Sequence, residues 1–313
     1  FFLAAYDWIV ENNQLDREEK EFLKNQTFYG NEIVANTRRM CLMNMYLHNI
    51  GDLDGDPTIK PTDALVADDG LRVDYVLANP PFGKKSSITI TNEDGEAEKQ
   101  DMSYNRQDFW ETTSNKQLNF LQHIKSMLKI NGEAAVVLPD NVLFEGGAGE
   151  EVRKQLLKTT ELHTILRLPT GIFYAPGVKA NVLFFNNKSA SKEAWTKEIW
   201  FYDYRTNIHH TPKKLVMTVQ HLDEFIKLYS PKNLNKRKET WSEENEEGRW
   251  RKYTYEDIIA RDKTSLDIFW LKDQSLTDLD NLPDPDVLAL EIIENMESGV
   301  NSFKEIMEVL GED

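Results

Sequence analysis

Runs of β-branched and aromatic residues alternate along this chain with longer stretches whose apolar positions recur at helical spacing. The apolar opening, Phe1 to Val10, reads as a helix. Thr27-Phe28-Tyr29-Gly30 reads as a short strand, and Asn31 to Asn49, rich in Met and Leu, as the helix that follows. Val73 to Ala78 predicts a buried strand. Leu118, Leu121, Ile124, Met127 and Leu128 mark a helix that Asn131-Gly132 should stop. Ala134 to Pro139 predicts a strand, Glu150 to Leu157 a helix and Thr164 to Leu168 another strand. Val182 to Phe185 and Ile199 to Tyr202 close the series. This rhythm predicts an α/β fold with a mostly parallel sheet covered on both faces.

Two segments break the rhythm. Lys84 to Glu111 is long, polar and rich in Ser, Thr, Asn and acids. A loop of that length beside a site is functional or mobile, so partial ordering that depends on substrate is expected. Pro231 to Trp250 is highly charged and reads as a linker or surface connection. From Tyr253 the pattern is helical again, with amphipathic stretches at Val287 to Met296 and Phe303 to Leu310. The expected division is a catalytic domain over 1–230, a charged linker over 231–252 and a helical segment over 253–313.

Composition narrows the partners. The net charge of the 313 residues is −16. Proteins that hold DNA unaided usually present a basic face, so a DNA enzyme of this balance needs a partner to supply much of the phosphate grip. No stretch approaches the ~20 apolar residues of a membrane span. The single cysteine, Cys41, excludes an intramolecular disulfide and suits a cytoplasmic setting.

Several patterns fail on inspection. Asp52-Leu53-Asp54-Gly55-Asp56 imitates a calcium loop, but Pro57 replaces the glycine of its sharp turn. Gly83-Lys84-Lys85-Ser86 imitates a phosphate loop, but Ala78 occupies the first glycine position. His209-His210 has no further ligand at metal spacing and reads as a surface pair.

Asn79-Pro80-Pro81-Phe82 closes the predicted strand Val73 to Ala78, where open α/β sheets place ligands. An exocyclic amine on an aromatic ring is a poor nucleophile, because its lone pair is delocalised. Two acceptors on its N–H bonds, the Asn79 side-chain oxygen and the Pro80 carbonyl, favour a more pyramidal nitrogen. The prolines fix φ and remove competing donors. Phe82 can stack on the ring.

The tetrapeptide resembles the catalytic motif of amino-methyltransferases that use S-adenosylmethionine, in particular the DNA adenine-N6 class. The wider context is similar to the modification (M) subunit of type I restriction-modification systems. Tyr29-Gly30-Asn31-Glu32 resembles that family's second-strand acidic motif. Val136 to Phe144 with Gly146-Gly147, Leu168-Pro169 followed by Gly171-Ile172-Phe173-Tyr174, and Ser265-Leu266-Asp267-Ile268 are also family-like. The resemblance covers nearly the whole chain. It implies a Rossmann-like methyltransferase sheet, mostly parallel with its last strand antiparallel.

By the same resemblance, Glu32 would accept from the cofactor's ribose hydroxyls. Asp63, in Thr62-Asp63-Ala64-Leu65, would accept from the cofactor's adenine amine. Phe173 would stack on an extruded base, with Tyr174 as its alternative. The implied partners are double-stranded DNA, a specificity (S) subunit and a restriction (R) subunit, and the C-terminal helical segment is a candidate docking element. One departure stands out. The family's Asp-Pro-x-x-Gly-x-Gly-like loop and first strand are not found upstream of Phe1-Phe2-Leu3-Ala4-Ala5. The expectation is therefore an N-terminally truncated domain that binds S-adenosylmethionine poorly by itself. Two rivals remain open at this point: a protein-glutamine N5 methyltransferase, and a methyltransferase-like assembly subunit without activity.

Overall fold

The computed structural model describes residues 1–83, 87–91, 97–101, 103–173, 177–211 and 213–273, together with scattered helical positions between 285 and 300. The chain forms two compact units, one of residues 1–78 and 83–129, the other of 79–82 and 130–313.

The first unit opens with helix α1 (Phe2–Asn12) and helix α2 (Arg17–Gln26). Asp16 caps α2 reciprocally: its carboxylate accepts from Glu19 N at 2.9 Å, and Glu19 accepts from Asp16 N at 2.9 Å. Strand β1 (Gly30–Asn31), helix α3 (Ala35–Leu47) and strand β2 (Ile59–Lys60) follow. β1 and β2 pair in parallel, Gly30 opposite Ile59. Leu23, Phe28, Met45, Ile50 and Ile59 form the core here, with Phe2, Tyr6 and Ile9 of α1 packed against it. The expected strand at Thr27 to Gly30 thus begins only at Gly30, because Phe28 is spent on this core.

Strand β3 (Val73–Ala78) lies where the sequence places it. Its burial does not follow the expectation: Tyr75 is 71% and Leu77 51% exposed. An apolar run predicts burial only where another element covers its face, and no described residue covers these two. Lys84 to Glu111, expected to order with substrate, contains a hairpin of β4 (Ser87–Thr91) and β5 (Ala97–Asp101), antiparallel with Ser87 opposite Asp101. Residues 84–86, 92–96 and 102 lie outside the described set. The end of this segment is held by helix α4 (Lys116–Met127): Gln122 accepts from Glu111 N at 2.8 Å and donates to Glu111 O at 3.2 Å. Asn115 caps α4, accepting from Gln117 N and Leu118 N.

Strand β6 (Leu128–Pro139) starts directly from α4. Asn131-Gly132 therefore does not stop the helix; Asn131 sits inside the strand at φ 64°. The second unit then adds helix α5 (Asn141–Phe144), helix α6 (Ala148–Thr159), strand β7 (Thr160–Leu168), strand β8 (Ala180–Asn187), strand β9 (Glu198–Asp203), helix α7 (Asp223–Tyr229), strand β10 (Trp250–Thr254) and helix α8 (Tyr255–Ile259). The sheet runs β10-β9-β7-β8-β6. β9 is parallel to β7, whereas β8 is antiparallel to both β6 and β7. β6, β7 and β9 thus share one direction, as the expected mostly parallel sheet requires. β8 runs against them, and so does β10 beside β9.

The core of this sheet gathers Leu166, Leu168, Trp200, Tyr202, Tyr204, Phe225 and Trp250. Trp200 and Trp250 stack with centroids 5.3 Å apart. Pro231 to Trp250 is therefore more than a surface connection: Trp250 is fully buried and opens β10, and Arg237 is 8% exposed. Arg237 donates to Tyr229 O at 2.6 Å and to Thr164 Oγ1 at 2.9 Å. Charge counted along a segment conceals such an arginine, whose stem and planar head pack on aromatic rings. Described positions of Val287 to Met296 are helical; Leu288 is half-buried and the others, Ile292 and Ile293 among them, are exposed, whereas Phe303 to Leu310 lies outside the described residues.

Candidate active site

The acceptor motif lies in the second unit. Asn79-Pro80-Pro81-Phe82 leaves the end of β3; Asn79 and Pro81 are exposed and Pro80 is buried. The Asn79 amide is thus open to solvent while the ring of Pro80 fixes the backbone beneath it. Phe82 meets Phe173 edge to face, with ring centroids 5.6 Å apart and planes at 82°. Two aromatics assigned to one base therefore come together from segments far apart in the chain. Tyr174, with Ala175 and Pro176, lies outside the described residues.

Phe173 sits in the loop from β7 to β8, and the backbone just before it is tightly fixed. Gly171 has φ +78°, and a Cβ there would stand 1.8 Å from His210 O. Only glycine fits both the left-handed backbone and that close approach. His210, expected on the surface, is 3% exposed. Its Nε2 bonds the Tyr204 hydroxyl at 2.8 Å and its Nδ1 pairs with Leu215 O at 2.9 Å, so a tyrosine and a carbonyl satisfy it in place of water. No group of His, Cys, Asp and Glu among the described residues could hold a metal ion.

A charged network occupies the same sheet edge. Asp140 follows the end of β6, and Arg205 follows the end of β9. Arg205 Nη1 meets Asp140 Oδ2 at 2.6 Å and Nη2 meets Asp140 Oδ1 at 2.8 Å, a two-pronged pair. Burial alone would raise the Asp140 carboxyl, but the charge and hydrogen bonds of Arg205 outweigh it and hold Asp140 below its ordinary value. Nearby, Arg167 Nη2 donates to Asp267 Oδ1 at 2.7 Å, and its Nη1 donates to Ile268 O. This fixes the Ser265-Leu266-Asp267-Ile268 segment on β7. Neither Asp140 nor Arg205 belongs to a motif that the sequence alone singles out for a role. The available signal was Asp140 directly after a strand-ending proline, Pro139.

The donor candidates lie in the first unit. Glu32 follows β1, accepts from Val34 N at 2.7 Å and donates its own N–H to Lys60 O at 3.0 Å. Asp63 follows β2 and accepts from Leu65 N at 2.9 Å. β1 and β2 are parallel neighbours, so both carboxylates stand past the same sheet edge. Arg106 donates to Ala64 O at 3.1 Å, bridging the Asp63 turn to Asp108, which it meets at 2.5 Å. Two fixed carboxylates at adjacent strand ends suit a ligand that offers hydroxyl and amine donors.

The structure is similar to that of the type I restriction enzyme EcoKI M protein, with a TM-score of 0.72, 37% identity, and coverage of 99% of this chain and 66% of that one. That places it in the class of α/β methyltransferases. Residues 1–268 match the family model described as N-6 DNA Methylase, and the chain belongs to that family. The StySJI methylase subunit of Salmonella typhimurium and the EcoKI methylase subunit of Escherichia coli K12 are each 40% identical to it over 99% of the chain. The chain spans 62% of the length of either relative.

Proposed function

We propose that this chain is the larger part of an M subunit of a type I restriction-modification system, which methylates adenine N6 in double-stranded DNA. Phe82 against Phe173 carries the reading: two aromatics meet beside an amine-holding Asn79-Pro80 turn. The target adenine leaves the duplex to reach this turn. Asn79 Oδ1 and the Pro80 carbonyl accept the N6 hydrogens and draw the lone pair out of conjugation. Phe82 and Phe173 hold the ring faces, with Tyr174 as the alternative to Phe173. When bound, S-adenosylmethionine supplies a sulfonium methyl that moves to N6 as its carbon–sulfur bond breaks and the nitrogen gives up a proton. Glu32 would hold that donor by accepting from its ribose hydroxyls, and Asp63 by accepting from its adenine amine. Catalysis is then mainly positioning.

The acidic balance supports delegating the DNA grip to an S subunit, with an R subunit as the nuclease partner and the helical segment from 253 onward as the docking element. The setting is cytoplasmic; no described helix is long and apolar enough to cross a membrane. Of the rivals, glutamine methylation and an inactive assembly role are both disfavoured by the family match. Asn79→Ala in the full-length subunit, assembled with its S subunit, tests the reading by transfer of labelled methyl to DNA and to protein. Loss of DNA methylation with assembly intact is expected. Retained methylation of DNA, or label appearing only on protein, overturns it.

A further inference from the structure

We propose that Arg205, clamped by Asp140, is a positioning residue that sets where Phe173 stands against Phe82. The inference rests on the reading of Phe173 as the base-stacking residue. The Phe173 loop leaves β7 at Leu168 and enters β8 at Ala180. One guanidinium holds both ends: Arg205 Nε donates to Leu168 O at 2.9 Å, and Nη2 donates to Ala180 O at 2.9 Å and to Asn181 Oδ1 at 3.3 Å. Asp140 fixes that guanidinium and reaches the same root, since its N–H donates to Lys179 O at 3.2 Å and its Oδ1 accepts from Asn181 Nδ2 at 2.8 Å.

On the β7 side, the described stretch from Pro169 to Phe173 has little slack. Gly171 is wedged under the His210 carbonyl, and Ile172 packs on the core around Leu168 and Tyr204. Phe173 comes directly after Ile172. A shift at the roots therefore passes to the ring. An ion pair serving stability alone needs only its two charged partners; here the remaining donors of Arg205 go to the loop that carries the stacking residue. Lysine cannot replace it, because a single ammonium cannot face carboxylate, Leu168 O and Ala180 O in one plane.

The test is a double-mutant cycle in the full-length subunit assembled with its S subunit. R205K, F173A and the double variant are compared by single-turnover methylation of a duplex carrying the target site, and by fluorescence of 2-aminopurine at the target position. R205K should keep its fold by thermal melting, slow methyl transfer about 10- to 100-fold, and change the 2-aminopurine signal. In the F173A background it should add almost nothing, because the ring it places is gone. Equal slowing by R205K in both backgrounds overturns the inference. Should R205K melt early, Asp140→Asn, which retains the side chain's shape, takes its place in the cycle under the same criteria. If F173A itself turns over at the parental rate, the base-stacking reading fails first, which separates the two failures.

Discussion

Phe82 and Phe173 touch edge to face, their ring centroids 5.6 Å apart and their planes at 82°. A slot that holds a base between two parallel rings needs them about 7 Å apart, twice a contact of about 3.5 Å. On the proposed reading, entry of a base would require the rings to part and one of them to turn. The contact given up is worth roughly 0.5–1.5 kcal/mol beyond buried area, less than a base regains by stacking.

Phe173→Ala is expected to slow single-turnover methylation about 10- to 100-fold, from stacking worth roughly 1–3 kcal/mol. Phe82→Ala should act alike. Both should leave the melting temperature nearly unchanged, since Phe82 is 37% exposed. Rapid-quench assays with labelled donor check this.

Gly171→Ala should damage the same loop from within. Its left-handed φ of +78° and the His210 carbonyl 1.8 Å from an added Cβ leave no room. A loss of about 2 kcal/mol or more is expected, with slower methylation. Urea unfolding beside an activity assay measures both.

Arg153 is 1% exposed and donates to the carbonyls of Val142, Glu145, Lys263 and Thr264. It thereby steadies Lys263 and Thr264, both in left-handed backbone at φ 51° and 50°. Arg153→Met should cost about 3 kcal/mol or more, because it strands several buried acceptors. Calorimetry checks the loss.

Acid should unfold this protein through two buried histidines. Burial, with Arg237 nearby, lowers His163 to about 3; burial, with Arg106 nearby, lowers His123 to about 4. Below an ordinary value near 6.5 the unfolded chain takes up a proton at each site and the folded one does not. Their contribution is thus intact above about pH 6.5 and falls by roughly 1.4 kcal/mol per pH unit per histidine as the pH drops towards the folded values. Denaturant unfolding at pH 7.5 and pH 5 should show the slope, and His163→Gln should flatten it.

Much of this was legible in the sequence. The apolar runs that became β6, β7, β8 and β9 are long, and their centres were found. Asn79-Pro80-Pro81-Phe82 stands out in the sequence because its residue types are rare together at a strand exit. The misses share a cause. Arg237 and Trp250 are buried by partners distant in the chain, which local pattern does not register, and His210 is satisfied by Tyr204 and Leu215 across a turn that its residue type alone does not signal. Arg205 and Asp140 lie on different strand exits and become a unit only when β6, β7, β8 and β9 line up. The burial of β3 was overestimated because hydrophobicity states a preference, whereas cover depends on neighbours.

The reversed course of β8 has a further consequence. Because β8 doubles back beside β7, Leu168 stands opposite Ala180 and the Phe173 loop starts and finishes at one spot on the sheet. A loop closed in this way leaves the sheet and returns to it at one place, which is why one guanidinium reaches both of its ends. The loop is thus a handle with a single root: exchanging the Phe173 ring at its far side leaves the strands beneath it as they are.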